Sequence, residues 1–303
     1  MSILKKNCTV DCINPENDFI NPITGEVINF DPELQVIKNK KQLYVQKNKI
    51  DIIKNPFSWA NIPNIRELLA EKSITLTTLG SVLVLASSLK EDGYLHKQRR
   101  VNDYLTRSEI QKKLKFKDGT FKRVLKEAQA SGLLIVEGES QKKQIFRLNA
   151  DYHFYGEAGR NAPKLVRVQK HGFNRLFNDN KTELDQIGFL YLLIPFMNYE
   201  NCTLVRDITK PADFNNALSV NELSKELGMT RQTINKYLRI EFCYKLRNGY
   251  YRMPVVCLSR RPREKKEVIT LNPVLFRRRI GFFANIAYHE LEESFKCVSV
   301  KLT

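Results

Sequence analysis

Ser219-Val-Asn-Glu-Leu-Ser-Lys-Glu-Leu-Gly-Met-Thr-Arg-Gln-Thr-Ile-Asn-Lys-Tyr-Leu238 decides how the rest of this 303-residue chain is read. Ser219 with Glu222 three residues later has the spacing of a capping box, in which a hydroxyl and a carboxylate satisfy each other's backbone amides at a helix start. Leu223 and Leu227 supply the apolar positions of a short helix that ends at Gly228. Thr230 then caps a second helix, in which Ile234, Tyr237 and Leu238 fall at i, i+3, i+4 on one face. The opposite stripe is Gln232, Asn235, Lys236 and Arg239. A helix, a tight turn at glycine and a second helix with its polar face free have the form of a helix-turn-helix.

The same plan occurs upstream. Leu76-Thr-Thr-Leu79-Gly80-Ser-Val82-Leu-Val84-Leu85 matches Leu184-Asp-Gln-Ile187-Gly188-Phe-Leu190-Tyr-Leu192-Leu193 in apolar spacing and in the glycine, and each predicts a buried helix. Lys142-Lys143-Gln-Ile145-Phe146-Arg-Leu148-Asn149 matches Lys265-Lys266-Glu-Val268-Ile269-Thr-Leu271-Asn272, a basic pair leading into a strand. Val45-Gln-Lys47 and Val168-Gln-Lys170 precede the two units at a similar distance.

Between these anchors, Thr106 or Ser108 opens a helix through Ile110 and Leu114, and a turn is expected near Asp118-Gly119. A helix over 119–130 then carries Phe121, Val124, Leu125 and Ala128 inward, with Lys122, Arg123 and Lys126 outward. Gly132 reads as a helix C-cap, followed by a hairpin whose loop spans Glu137 to Lys143 and whose return strand runs from Gln144 to Leu148. In the second unit a single hairpin is expected from about Tyr244 to Leu271, around the basic loop Ser259 to Lys266. Three helices and a hairpin make a winged helix. The expected fold is therefore α+β: two tandem winged-helix domains (71–160 and 161–303) behind a β-containing N-terminal extension (1–70) with strands around Gln35 to Gln46. Trp59, alone of its kind, is expected to pack that extension against the first domain.

Charge points to the partner. Fifty Lys and Arg against 33 Asp and Glu leave a formal net of +17, concentrated in two windows. Residues 97–170 carry 18 basic and 8 acidic side chains, and residues 231–279 carry 14 and 3. Clustering of this kind suits a polyanion, because each neutralised phosphate releases counterions. The longest apolar run, Ile187 to Met197, is about half of the roughly 20 residues a bilayer span needs, and no apolar leader follows Lys5 and Lys6. A membrane or secreted protein is not expected. Cysteines 8, 12, 202, 243, 257 and 297 form no Cys-x-x-Cys, and His96, His153, His171 and His289 are isolated. With no phosphate-loop motif and no paired carboxylates at a motif-like spacing, no catalytic residue, metal or cofactor is expected.

Ser131-Gly-Leu-Leu-Ile135, followed by Lys142-Lys-Gln-Ile-Phe-Arg-Leu-Asn-Ala-Asp-Tyr-His-Phe-Tyr-Gly156, resembles the wing and exit of the winged helix in the Firmicute plasmid replication protein family. That resemblance covers roughly 75–156. The tandem order is similar to the Rep initiators of theta-replicating plasmids and to some phage replication proteins, and Leu271-Asn272-Pro273 with Phe276 repeats the pattern loosely. The chain departs from it in its N-terminal segment, in an insertion near Thr209 to Ala217, and in an enlarged second wing.

The resemblance implies sequence-specific double-stranded DNA binding at origin repeats in the bacterial cytosol, associated with nucleoid or plasmid, without catalysis. It also implies host replication proteins as partners, and a homodimer where one domain serves for dimerisation. A transcriptional regulator at a promoter operator is the alternative, and a nuclease or recombinase a third class. The expected base-reading residues are Thr230, Arg231, Gln232, Thr233, Asn235, Lys236 and Arg239, since Arg, Gln and Asn make bidentate contacts to base edges. Lys117, Thr120, Lys122, Arg123 and Lys126 are the expected phosphate-holding set. Lys142, Lys143, Arg260, Arg261, Arg263, Lys265 and Lys266 are the expected wing contacts.

Overall fold

The computed structural model describes residues 56–97, 103–138, 144–156, 158, 164–178, 182–199, 202–213, 215–246, 249–260 and 267–278, with short strands at 18–20, 27–29 and 298–299. The chain divides into two compact units, Met1–Lys54 and Asn55–Thr303. In the first, β1 (Asp18–Ile20) and β2 (Val27–Asn29) form an antiparallel hairpin with Phe19 opposite Ile28. The strands expected around Gln35 to Gln46, and the Val45–Lys47 match, lie outside the described residues.

The second unit is α+β, with small sheets that do not close into a barrel. Its first half runs β3 (Phe57–Asn61), α1 (Ile62–Glu71), α2 (Leu76–Ala86), α3 (Arg107–Leu114), α4 (Asp118–Ala130), β4 (Leu134–Glu137), β5 (Ile145–Leu148) and β6 (His153–Phe154). The second half runs β7 (Leu165–Gln169), α5 (Lys170–Asn178), α6 (Leu184–Leu193), α7 (Val220–Glu226), α8 (Arg231–Leu238), β8 (Glu241–Leu246), β9 (Gly249–Pro254), β10 (Val256–Arg260), β11 (Glu267–Leu271) and β12 (Phe276–Arg277). Apart from β8 and β9, the order is the same. Among the described residues no helix is long and apolar enough to cross a membrane.

The repetition reaches individual hydrogen bonds. After α2, the amide of Leu95 donates to Phe146 O (2.9 Å); after α6, that of Leu204 donates to Ile269 O (2.8 Å). Asn149 and Asn272, matched in the sequence, each close a hairpin at its base. Their backbone amides donate to Leu133 O (3.0 Å) and Val255 O (2.9 Å), and their side-chain amides to Gly132 O (3.0 Å) and Pro254 O (2.9 Å). Between α3 and α4 the chain turns at Lys115 (φ 58°), and between α7 and α8 at Gly228 (φ 60°).

A twofold relation joins the halves. β3 pairs antiparallel with β7, Phe57 opposite Gln169, Trp59 opposite Arg167 and Asn61 opposite Leu165, in a sheet of order β12-β7-β3-β6. α2 and α6 are apolar almost all round and buried, as helices without a wet face must be. They cross with backbones in contact. A Cβ on Gly80 would lie 1.8 Å from Leu184 O, and one on Gly188 would lie 1.8 Å from Leu76 O. Exchanging the halves turns each contact into the other. Trp59, 2% exposed, meets Phe57 edge-on at 5.0 Å and donates its indole N–H to Gly156 O (2.8 Å). The Arg167 guanidinium lies over Phe57 at 4.3 Å.

The first-half turn is not at Asp118-Gly119, which open α4; it lies at Lys115–Lys117, and Lys115 takes the left-handed conformation that glycine takes at 228. An acidic residue in the first turn of α4 suits the helix dipole. The second half has two hairpins, not one from Tyr244 to Leu271. β8 pairs with β9, Leu246 opposite Gly249, and β10 separately pairs with β11 across 261–266. β13 (Val298–Ser299) adds to β9. β3 and α1, upstream of residue 71, are repeated by β7 and α5, so that Val168–Lys170 corresponds to Ala60–Ile62.

Gly188→Ala is expected to cost about 3 kcal/mol, because overpacking against a backbone carbonyl cannot be relieved by a side-chain rotation. Gly119→Ala, where a Cβ meets nothing within 4 Å, should change stability by no more than about 1 kcal/mol. Equilibrium urea unfolding of both variants measures the contrast.

Candidate nucleic-acid interface

α8 is cut to length by its own sequence. The Thr230 hydroxyl accepts from the Thr233 amide (3.2 Å) and shares a hydrogen bond with the Thr233 hydroxyl (2.9 Å). Ile234, Tyr237 and Leu238 are buried, while Arg231, Gln232, Lys236 and Arg239 are exposed and Thr233 and Asn235 half-buried. α8 contains no carboxylate. Among the described residues, no ion pair engages Arg231, Lys236 or Arg239. The row is thus a cationic and amide surface with its donors facing water.

Residue for residue, α4 presents something different. Arg231, Gln232, Asn235, Lys236 and Arg239 correspond to Asp118, Gly119, Lys122, Arg123 and Lys126, counting from the matched N-caps Thr230 and Lys117. Lys122, Arg123 and Lys126 are exposed, Thr120 is half-buried, and Lys117 is exposed without a capping bond from its side chain. Lys122 is paired with Asp118 at 2.7 Å. The amides that suit base edges are absent here, and one cation is partly neutralised.

Each exposed helix is tied to the start of the crossing helix in its own half. The Glu127 carboxylate of α4 accepts from the Thr75 amide (2.8 Å), the Thr75 hydroxyl (2.6 Å) and the Thr78 hydroxyl. Burial works against its ionisation, but these bonds from Thr75 and Thr78 outweigh it and hold its pKa below the usual carboxylate value. On α8 the Tyr237 ring stacks on Phe189 of α6 at 4.9 Å, and its hydroxyl donates to Asp185 (3.3 Å). The preceding helices are held in parallel ways. α3 and α7 both begin with capping boxes, Thr106 with Glu109 and Ser219 with Glu222. Glu109 also takes Lys97 (2.8 Å), and Glu222 takes Arg206.

The Thr106-x-x-Glu109 spacing carries the same capping signal in the sequence as Ser219 with Glu222. Glu127 and Tyr237 gave no signal of their role, because their partners are distant in sequence. The charge count also overstates what a ligand can reach: Arg167, Lys170 and Arg278 lie inside the two basic windows and are buried. Of the expected wing contacts, Lys142, Lys143, Arg261, Arg263, Lys265 and Lys266 lie outside the described residues, and Arg260 ends β10 opposite Glu267.

Comparison with protein-family models, with curated proteins and with solved structures returns no match.

No group of three or more His, Cys, Asp or Glu among the described residues could hold a metal. His153 shares a hydrogen bond with the Tyr191 hydroxyl (2.9 Å), and burial lowers its pKa to about 4. It is a neutral core residue. His96 sits against Asp92 at 2.8 Å.

Glu127→Ala should lower stability by about 2 kcal/mol at neutral pH, as charge-assisted hydrogen bonds to a half-buried carboxylate are lost. Since the folded pKa is depressed, the contribution is complete above the unfolded carboxylate value and disappears as pH falls through the folded one. The wild-type advantage over Glu127→Ala in chemical denaturation should therefore shrink below about pH 4.

Proposed function

We propose that each half of Asn55–Thr303 is a winged helix and that the chain binds double-stranded DNA sequence-specifically. The observation that carries this is the α8 surface. Arg231, Gln232, Asn235, Lys236 and Arg239 form a row without a carboxylate on the second helix of a capped two-helix unit. Arg pairs bidentately with guanine, and Gln or Asn with adenine, each contact discriminating by about 1–3 kcal/mol. α4, richer in Lys and without an amide at the positions corresponding to Gln232 and Asn235, supports binding through phosphates.

The biological role we assign is that of a plasmid or phage replication initiator, acting at origin repeats without catalysis. The resemblance in the Ser131–Gly156 segment and the tandem order support it. Double-stranded DNA is then the partner, with host replication proteins recruited to the complex and a homodimer as a further assembly, in the bacterial cytosol. If the selected sites lie at one promoter and not in repeats at an origin, the transcriptional regulator replaces it.

Replacing Arg231, Gln232, Asn235 and Lys236 together by Ala should abolish preference for the selected site while weaker nonspecific binding persists. Wild-type affinity should fall steeply with salt, with a log–log slope of about −0.9 for each phosphate neutralised. Fluorescence anisotropy against cognate and scrambled duplexes over a salt series reads both; unchanged preference in the variant, or a flat salt response, would contradict the proposal.

A further inference from the structure

The twofold relation between the halves constrains any duplex that both exposed helices touch. A twofold rotation preserves a direction's component along the axis and reverses the rest. α4 and α8 therefore share one aspect along the axis and run in opposite senses across it. Symmetric pairs of reading helices meet half-sites of opposite strand polarity for this reason. Here the axis lies within one chain. It passes between Gly80 and Gly188, where backbone meets backbone, and between β3 and β7, where Trp59 faces Arg167.

Nothing in that arrangement is a tether. α2 and α6 touch without an intervening side chain, the four-stranded sheet spans the axis, and Glu127 and Tyr237 bolt α4 and α8 to the two crossing helices. Packed cores shift between discrete arrangements and do not stretch. The separation of α4 from α8 is consequently a property of the Gly80–Gly188 crossing.

Resting on the DNA-binding function proposed above, the geometry points to that crossing as a ruler. It holds α4 and α8 at one separation, so the two halves of the chain's DNA site are inverted relative to each other and their spacing cannot be adjusted. The site is also asymmetric, because the five corresponding surface positions of α4 and α8 all differ.

Polarity is tested by making the two surfaces alike. The variant Asp118→Arg, Gly119→Gln, Lys122→Asn, Arg123→Lys and Lys126→Arg changes exposed positions of α4 into those of α8. Selection from random duplexes should then enrich an inverted repeat of the block that wild type selects under α8. A direct repeat would overturn the ruler. Should that variant fail to fold, wild type decides through spacing. Inserting about 5 or about 10 base pairs between the selected halves moves one of them by half a turn or a full turn. Each insertion should weaken binding at least tenfold, to the level of a single half-site. Recovery with the full turn would mean flexibly linked halves and would also overturn the ruler, leaving the DNA-binding function standing. Absence of any enriched sequence with wild type would overturn that function and the ruler with it.

Discussion

Two buried helices that touch backbone to backbone set the terms for this fold. At Gly80 and Gly188 the space beyond each Cα is already occupied by a carbonyl of the other helix, 1.8 Å from where a Cβ would be. Only glycine allows that approach. Because the contact has no side chain in it, rotamer changes cannot adjust it, and every element attached to α2 or α6 inherits a fixed place. The apolar faces of the two helices are filled by each other, by α4 and α5 against α2, and by Tyr237 of α8 stacked on Phe189 of α6.

Buried cations reinforce the same relation. Lys170 donates to Leu89 O beyond α2, with its amine 4.2 Å from the Tyr155 ring, and Arg278 donates to Met197 O beyond α6. Leu89 and Met197 occupy corresponding places in the two halves, yet the cations that serve them come from different elements. Burial, with Lys90 nearby, pulls the Lys170 pKa down to about 7. Each half thus has a cationic donor at the corresponding carbonyl, supplied by a different residue. At the surface the halves have diverged further, with a mixed Arg, Gln and Asn row on α8 and a lysine-rich row on α4. One rigid body consequently presents two unlike faces in a symmetric relation.

Much of this was legible in the sequence where local chemistry decides the structure. Ser219, Glu222, Thr230 and the Ile234, Tyr237, Leu238 face need no partner outside their own helices to be recognised. The Asn149 and Asn272 match proved structural, since both side chains close the base of a hairpin. The matched glycines were visible as a coincidence of spacing, but their reason was not, because it lies in a contact between segments about a hundred residues apart. Lys115 was missed because a non-glycine residue in the left-handed region costs about 1–2 kcal/mol and is not expected there. The β8–β9 hairpin was merged with its successor although Asn248-Gly249 is a strong turn signal. Glu127 illustrates the general limit: on its helix it reads as one more solvated acid, and only the fold brings Thr75 and Thr78 to it.

The α2–α6 crossing holds the exposed helices of the two halves as one body. Pulsed electron resonance between spin-labelled non-natural residues at 112 and 225, corresponding exposed positions on α3 and α7 outside the proposed DNA-contacting rows, tests it directly. One narrow distance that stays the same with and without duplex is the result this structure predicts. A broad distribution, or a distance that changes when DNA is added, would contradict it.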